Sequence, residues 1–284
     1  MKTALNVKPQ LELPARPTSM WPTDVWGFLT LGWLLLIHLT ALVGLILRPL
    51  PGWNVFGVFV LLSFLGGTST VICYHRELAH RSLTLHPVVR AVMIFLAMLN
   101  GAAPPGSWVP THRLHHAETD TPDDPSSPVW RGMWFAHVAW HWQADNGLRE
   151  PYARDLARFS LGTWNRLLIP MFAIAYFGGA LWSLTAFFWL GAIRMTFAFH
   201  ATSLINSACH TEPGIELGED SSRNLWWVGV TIFFLGENWH RNHHLFPRSA
   251  RMGLRWWQPD VGYWLICGLA RLGLASEVQS AGKA

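Results

Sequence analysis

Charge is what this sequence has least of. Only 13% of its 284 residues are Asp, Glu, Lys or Arg, while 51% are apolar and 18 are Trp. The shortage is concentrated. From Val25 to Tyr74 the only formal charge is Arg48, and from Leu167 to Thr211 it is Arg194. Apolar windows of that length argue against a soluble fold, and each has room for two membrane spans at roughly 20 residues per span. Cysteine is scarce too. Cys73, Cys209 and Cys267 are odd in number and far apart, which leaves no disulfide framework and no C-x-x-C pair. Met1–Met20 is polar and contains prolines, so it lacks the apolar stretch of a secretory signal and reads as a disordered tail. No nucleic-acid-binding motif, dinucleotide-binding glycine fingerprint, fused haem domain or solenoid-length repeat is visible. The net charge of +4 points to anionic lipid headgroups rather than nucleic acid.

What is present reads as an all-α integral membrane fold. Four transmembrane helices form two hairpins, approximately Val25–Leu47 with Val55–Tyr74, and Leu168–Leu190 with Ile193–Ala208. The first pair turns through Arg48–Gly52 and the second near Gly191. Trp26, Trp33 and Trp53 fall near span ends, where indoles favour the interface. All but Arg48 and Arg194 of the 21 Lys and Arg lie on the side shared by both termini and the middle segment, which makes that side cytoplasmic. Val88–Leu99 and Leu225–Gly236 are apolar but too short to span, Gly253–Leu274 looks amphipathic, and Asn146–Arg158 is charged and reads as helical. The expected organisation is a tail over 1–20, one membrane domain over 21–274 whose spans carry a cytoplasmic helical cap, and a loose tail over 275–284.

Histidine is the abundant chemical group, with 14 residues. His112, His115 and His116 lie at i, i+3 and i+4, within roughly 100° of arc on a helix. His240, His243 and His244 repeat that spacing. His75 and His80, at i and i+5, would point roughly 140° apart on a straight α-helix, so they serve two different metals or the helix distorts there. His210 ends the fourth span. Each group sits on the same side of the membrane. Nine imidazoles packed together would repel when protonated and lose solvation when buried, and a bound cation relieves both. Nine exceed the needs of one ion, so two ions with four or five ligands each fit the count. Structural zinc favours cysteine-rich shells, whereas imidazole also suits iron and copper. Spacing alone therefore yields a dinuclear transition-metal membrane protein. The remaining five, His38, His86, His137, His141 and His200, read as ordinary packing or surface residues. The Trp-rich stretch Val129–Trp142 reads as packing against core or membrane surface.

As a set, His75–His80, His112–His116, Asn206–His210 and Gly236–Pro247 resemble the membrane fatty-acid desaturases, especially the delta-9 acyl branch, over roughly residues 55–262. The resemblance implies two iron ions held by the nine histidines, with Asn206 reaching one iron through water and no catalytic residue apart from these ligands. It implies a cis double bond, at the delta-9 position, made in a saturated acyl lipid or acyl thioester. Dioxygen is the co-substrate, and a separate ferredoxin-like carrier supplies electrons. Trp108 and Thr202 match positions lining the bend of the acyl tunnel. Pro110-Thr111 stand where acyl-CoA members from animals carry Arg-Asp, which leans towards the bacterial and plastid branch acting on lipid-bound chains. Asp124-Pro125-Ser126 replaces the usual Asp-Pro-His, and Asn238 a customary Gly. Two other readings stand beside this one. One is a di-iron hydroxylase or ketolase of an alkane, sterol or carotenoid. The other is a membrane metal transporter or haem electron carrier, which would place ligands near the midplane or need only one or two axial histidines.

Overall fold

The two uncharged windows become long helices. The computed structural model describes residues 19–143, 149–159 and 162–281. Helix α1 (Val25–Leu47) starts where the Asp24 carboxylate accepts from the Gly27 amide at 2.7 Å, meeting one of the first-turn N–H groups that has no helical partner. Helix α2 (Trp53–Ala79) follows, and both helices pack against the later helix over Leu184–His210. The last ten residues of α2, Thr70–Ala79, wind as a π-helix. Helices α3 (Pro87–Leu99), α4 (Pro105–Ala117) and α5 (Pro128–His137) follow, and each has proline in its first turn, where the missing N–H costs nothing. Helix α6 (Leu168–Leu181) and helix α7 (Leu184–His210) form the second apolar pair. The short helices α8 (Trp226–Thr231) and α9 (His240–Leu245) and the helix α10 (Val261–Arg271) complete the chain. Strand is confined, among the described residues, to one two-residue pairing of β1 (Thr84–Leu85) with β2 (Ala275–Ser276).

Three helices, α1, α2 and α7, are long and apolar enough to cross a membrane. Among the described residues, Leu29, Leu35, Leu36, Leu39, Leu42 and Ile46 give α1 an exposed apolar face, as lipid contact requires. Helix α6 runs only 14 residues, about 21 Å, short of the roughly 30 Å hydrocarbon core.

The second hairpin differs from its expected boundaries. The turn lies at Trp182–Ser183, where the Ser183 hydroxyl caps α7 by accepting from Ala186 N at 3.0 Å. Gly191, expected at the turn, is inside α7, and a Cβ there would collide with the Tyr176 carbonyl of α6. This glycine allows two backbones to approach instead of reversing the chain. Arg194, expected in the opposite loop, is consequently buried within α7. Its guanidinium donates to the Leu190 and Leu99 carbonyls and to Asn100 Oδ1, with no carboxylate among these partners.

Other expectations shift at the ends. Gly253–Leu274 is helical only over Val261–Arg271. Of Asn146–Arg158, the described part forms two short 3-10 turns. The tail expected as loose from residue 275 is tied down as far as the structure describes it. Beyond the β2 pairing, Gln279 N donates to Ser82 O at 2.8 Å and Ala250 N to Gln279 O at 2.7 Å. The N-terminal tail lies almost wholly outside the described residues.

Candidate metal centre

The π-helix decides the first question the spacing left open. A π-helix bonds i to i+5, so a residue five positions on stacks above the first. His80 N indeed donates to His75 O at 3.1 Å, and the two imidazole rings lie 4.9 Å apart. Helix distortion is therefore the alternative the chain adopts, and both rings face one place.

Two arginines hold that distorted end. The last carbonyls of a helix lack partners, and Arg113 supplies them, donating to Leu78 O at 2.6 Å and Ala79 O at 3.1 Å. Since Arg113 sits inside the His112–His116 box, that box is fastened to the helix end carrying His75 and His80. Arg76, fully buried, donates to Leu235 O at 2.7 Å and to Asp260 at 3.0 Å. This links the π-helix to the segment leading into α9.

The nine histidines fall into two groups. His75, His80, His112, His116 and His243 place a ring nitrogen each within 4.8 Å of one another, and His115, His210, His240 and His244 do the same. Ligands more than 120 positions apart in sequence meet: His75 Nε2 is 3.0 Å from His243 Nε2, and His243 Nε2 is 2.8 Å from His116 Nε2. In the second group His240 Nε2 lies 3.0 Å from His210 Nε2 and 3.2 Å from His244 Nε2.

Four carboxylates fix how those rings are protonated. The Nδ1 atoms of His75, His115, His210 and His244 face Glu237 at 2.5 Å, Asp124 at 3.0 Å, Asp120 at 3.4 Å and Asp220 at 3.2 Å. A carboxylate only accepts, so each Nδ1 carries the proton and each Nε2 is left with its lone pair pointing inward. Lone pairs facing one another repel, and a cation between them removes the repulsion. His115 Nε2 is buried without any hydrogen-bond partner, as an imidazole aimed at an ion would be. The donor set thus fits two metal ions, one per group. Asn206, expected to act through water, lines the cavity described below.

Electrostatics favour the neutral, ligating form. Burial and then neighbouring imidazoles push His112, His116, His240 and His243 well below the usual histidine range. His244 falls to about 4, chiefly through burial. His115 runs the other way: burial acts to lower it, and the adjacent Asp124 outweighs that.

The acidic partners were not visible as such in the sequence. Glu118–Pro125 reads as a turn-rich loop, yet it folds so that Asp124 accepts from the Asp120 and Ser126 amides and turns towards His115. Asp120 takes a left-handed φ of 57° and gathers Ser127, Ser221 and His210 around its carboxylate. Only its position after the second box was a signal.

A cavity of about 770 Å³, counted out to its mouth, opens beside the histidines. His75, His112, His240, Trp108, Thr202 and Asn206 line it near the metal groups, and Ser63, Gly67, Asn100 and Phe197 line it elsewhere. Ser63, Gly67, Val71 and His75 of α2 all line it, so the cavity follows that helix for about three turns. The Trp108 ring stacks on His112 at 5.1 Å, placing both expected substrate residues on the wall next to the ligands.

The sequence model of the fatty acid desaturase family matches residues 51–260, which takes in all nine histidines. Among similar proteins, the "Delta-9 acyl-lipid desaturase 1" of Arabidopsis thaliana is 35% identical over 241 residues, covering 80% of this chain and 76% of its own. The "Delta-9 desaturase-like 1 protein" of the same plant is 35% identical over 237 residues, covering 80% and 77%. The "Icosanoyl-CoA 5-desaturase" of Limnanthes douglasii is 34% identical over 241 residues, covering 80% and 66%.

Proposed function

The chain belongs to the fatty acid desaturase family and is an oxidoreductase of that class, and from this premise we propose its particular reaction. It introduces a cis double bond at the delta-9 position of a saturated acyl chain carried on a lipid. Dioxygen is the oxidant and a separate ferredoxin-like protein the electron source. The observation that carries the reading is the meeting of two imidazole groups with one largely apolar cavity.

His75, His80, His112, His116 and His243 would hold one iron and His115, His210, His240 and His244 the other, with Asn206 on the cavity wall as the residue that would reach one of them through water. Iron bound there supplies the oxidising power, from dioxygen, that takes two hydrogens from adjacent methylenes. The chain's own part is to place those methylenes and exclude water. Val71, Ile205, Phe233 and Leu235 provide an apolar wall, while Trp108 and Thr202 bend the acyl chain past His112. Glu237, Asp120, Asp124 and Asp220 keep the ligand lone pairs directed inward.

Pro110 and Thr111 favour a lipid-borne chain over CoA. They lie within α4, and Arg149 donates to Ser107 Oγ and Thr111 Oγ1 beside them. Helix α6 serves as the fourth span, shortened at the surface opposite the metal groups, with the metal groups on the cytoplasmic side. The test is direct: load the purified protein with iron, reduce it in the presence of a saturated lipid, and analyse the products. A monoene two hydrogens lighter is expected. A product that gains oxygen instead would favour the hydroxylase reading, and recovery of only saturated lipid from fully loaded protein would contradict both.

A further inference from the structure

The wall of the acyl cavity contains two strained residues in succession. Phe233 and Phe234 adopt left-handed φ angles of 55° and 49°. That region suits glycine and disfavours bulky side chains, so the surroundings must hold both residues there. For the flanking chain the anchors are plain. Val228 and Ile232 are buried against Ala201, Ile205 and Cys209. The Phe234 amide donates to Gly229 O at 2.6 Å, and its ring fills the place a Cβ on Gly229 would take. Leu235 is buried, and its carbonyl accepts from Arg76. Phe233 is held less firmly. Its amide reaches Val230 O only at 3.4 Å, longer than an ordinary hydrogen bond.

The Phe233 ring meets rings on two different helices. Phe64 of α2 stands 5.7 Å away and edge-on, and Phe197 of α7 stands 6.5 Å away. Both helices line the cavity, and so does Phe233 itself. The ring thus occupies the gap between α2 and α7. Phe64 comes eleven residues before His75, within the apolar span. Leu61, on the same face of α2 as Phe64, is exposed, and so are Trp227 and Val230 of α8. Trp226 and Trp227 suit the membrane interface, from which the chain dips to Phe233. At this point the Phe233 ring lies between the cavity and a surface of exposed apolar side chains.

We propose that Phe233 is the movable wall of a side portal between α2 and α7, through which the acyl tail of a membrane lipid enters the cavity directly from the bilayer. The proposal rests on the desaturase reading for the fate of the tail, and it assigns the substrate class: a lipid already assembled in the membrane, not a water-soluble thioester.

The physics of opening favours this residue. Swinging the ring aside gives up two aromatic contacts and one long hydrogen bond, and it releases the backbone strain at Phe233. The anchored neighbours Ile232 and Leu235 keep the movement local. A tail that enters here passes from lipid to an apolar cavity and never meets water, so entry carries no hydration cost. Once inside, it lies along α2 and α7 with Trp108, Thr202 and Asn206 at the metal end.

The first test needs neither metal nor turnover. Metal-free protein is placed in vesicles of a phosphatidylcholine whose acyl tail ends in a photoreactive diazirine, and cross-links are located by mass spectrometry. Wild type should be labelled at Thr202 and Asn206 on the cavity wall, and an unlabelled cavity would overturn the proposal. The lock is Phe64→Cys/Phe233→Cys, made with the part-exposed Cys267→Ser. Joining the two new thiols with a short bifunctional reagent should lower the labelling about ten-fold, while the unjoined variant labels as wild type does. Equal labelling with the thiols joined would overturn the proposal, since the tail would then enter elsewhere, from the aqueous side included. If the double variant fails to fold, Phe233→Gly decides. It removes ring and strain together, so labelling should reach its plateau about three-fold sooner, and an unchanged or slower approach would overturn the portal. In iron-loaded, reduced protein the joined thiols should lower desaturation of vesicle lipid with iron content unchanged, and full desaturation would again overturn it. A wild type that is labelled through the portal yet makes no unsaturated product would refute the desaturase reading alone.

Discussion

At the scale of single residues, the nine imidazoles are legible in the sequence and the groups that aim them are not. Spacing of i, i+3 and i+4 gives direction because helix geometry is regular. Asp120, Asp124, Asp220 and Glu237 reach their histidines through turns and loops, where spacing carries no direction. Their role makes a prediction. In Asp124→Asn the amide can donate to His115 Nδ1, which would move the ring proton to Nε2 and turn it against the metal. Metal affinity should fall about 10- to 100-fold in an equilibrium titration, with the fold intact by circular dichroism. Unchanged affinity would remove Asp124 from the centre.

His141 gives a second prediction at this scale. Burial first, then His137, lowers it from the usual 6.5 to about 3. The unfolded chain thus binds a proton below 6.5 that the folded chain does not bind until about 3. Stability of the metal-free protein should therefore be at its full value above 6.5 and fall as the pH drops towards 3. In His141→Gln that acid limb should be shallower in denaturant titrations at stepped pH, and an identical slope would contradict the assignment. His137 and His200, read from sequence as packing residues, were opaque for another reason. Their partners lie on three different helices, and no local pattern announces contacts that cross between them.

At the scale of elements, the uncharged runs locate the long helices but not their ends. Gly191 reads as a turn because glycine often marks one, whereas here the missing side chain admits the Tyr176 backbone. The π-helix likewise has no compositional signature. Its only trace is the i, i+5 spacing of His75 and His80, which on a straight α-helix would point the two rings roughly 140° apart. Gly67, on the α2 wall of the cavity, is where a side chain would project into the acyl space, since an added Cβ already crowds Leu235 at 3.3 Å. Gly67→Leu should shift preference towards shorter acyl chains, measured by competition between saturated lipids of different length. Retention of wild-type chain-length preference would show that the acyl chain does not pass Gly67.

At the scale of the whole molecule, charge asymmetry argues for an orientation and the histidines give the meeting point. What the sequence could not convey is that α6 falls short of a full span. Topology is testable with cysteines. A single cysteine replacing Gly52, in the α1–α2 turn, should react with a membrane-impermeant maleimide only from the non-cytoplasmic face. One replacing Ser276, on β2, should react only from the cytoplasmic face. Reaction of both from one side would break the two-hairpin topology, and exchanged reactivities would reverse it.

The central claim is that two imidazole groups and the adjoining cavity desaturate a lipid-borne acyl chain. Acyl-chain mass spectrometry of a desaturase-deficient host expressing this protein tests it most directly. The expected result is a cis monoene, unsaturated at the ninth carbon and present in intact lipids, that disappears in His115→Ala together with bound iron. An unchanged saturated profile alongside iron-loaded protein, or a His115→Ala variant with full iron and full product, would contradict it.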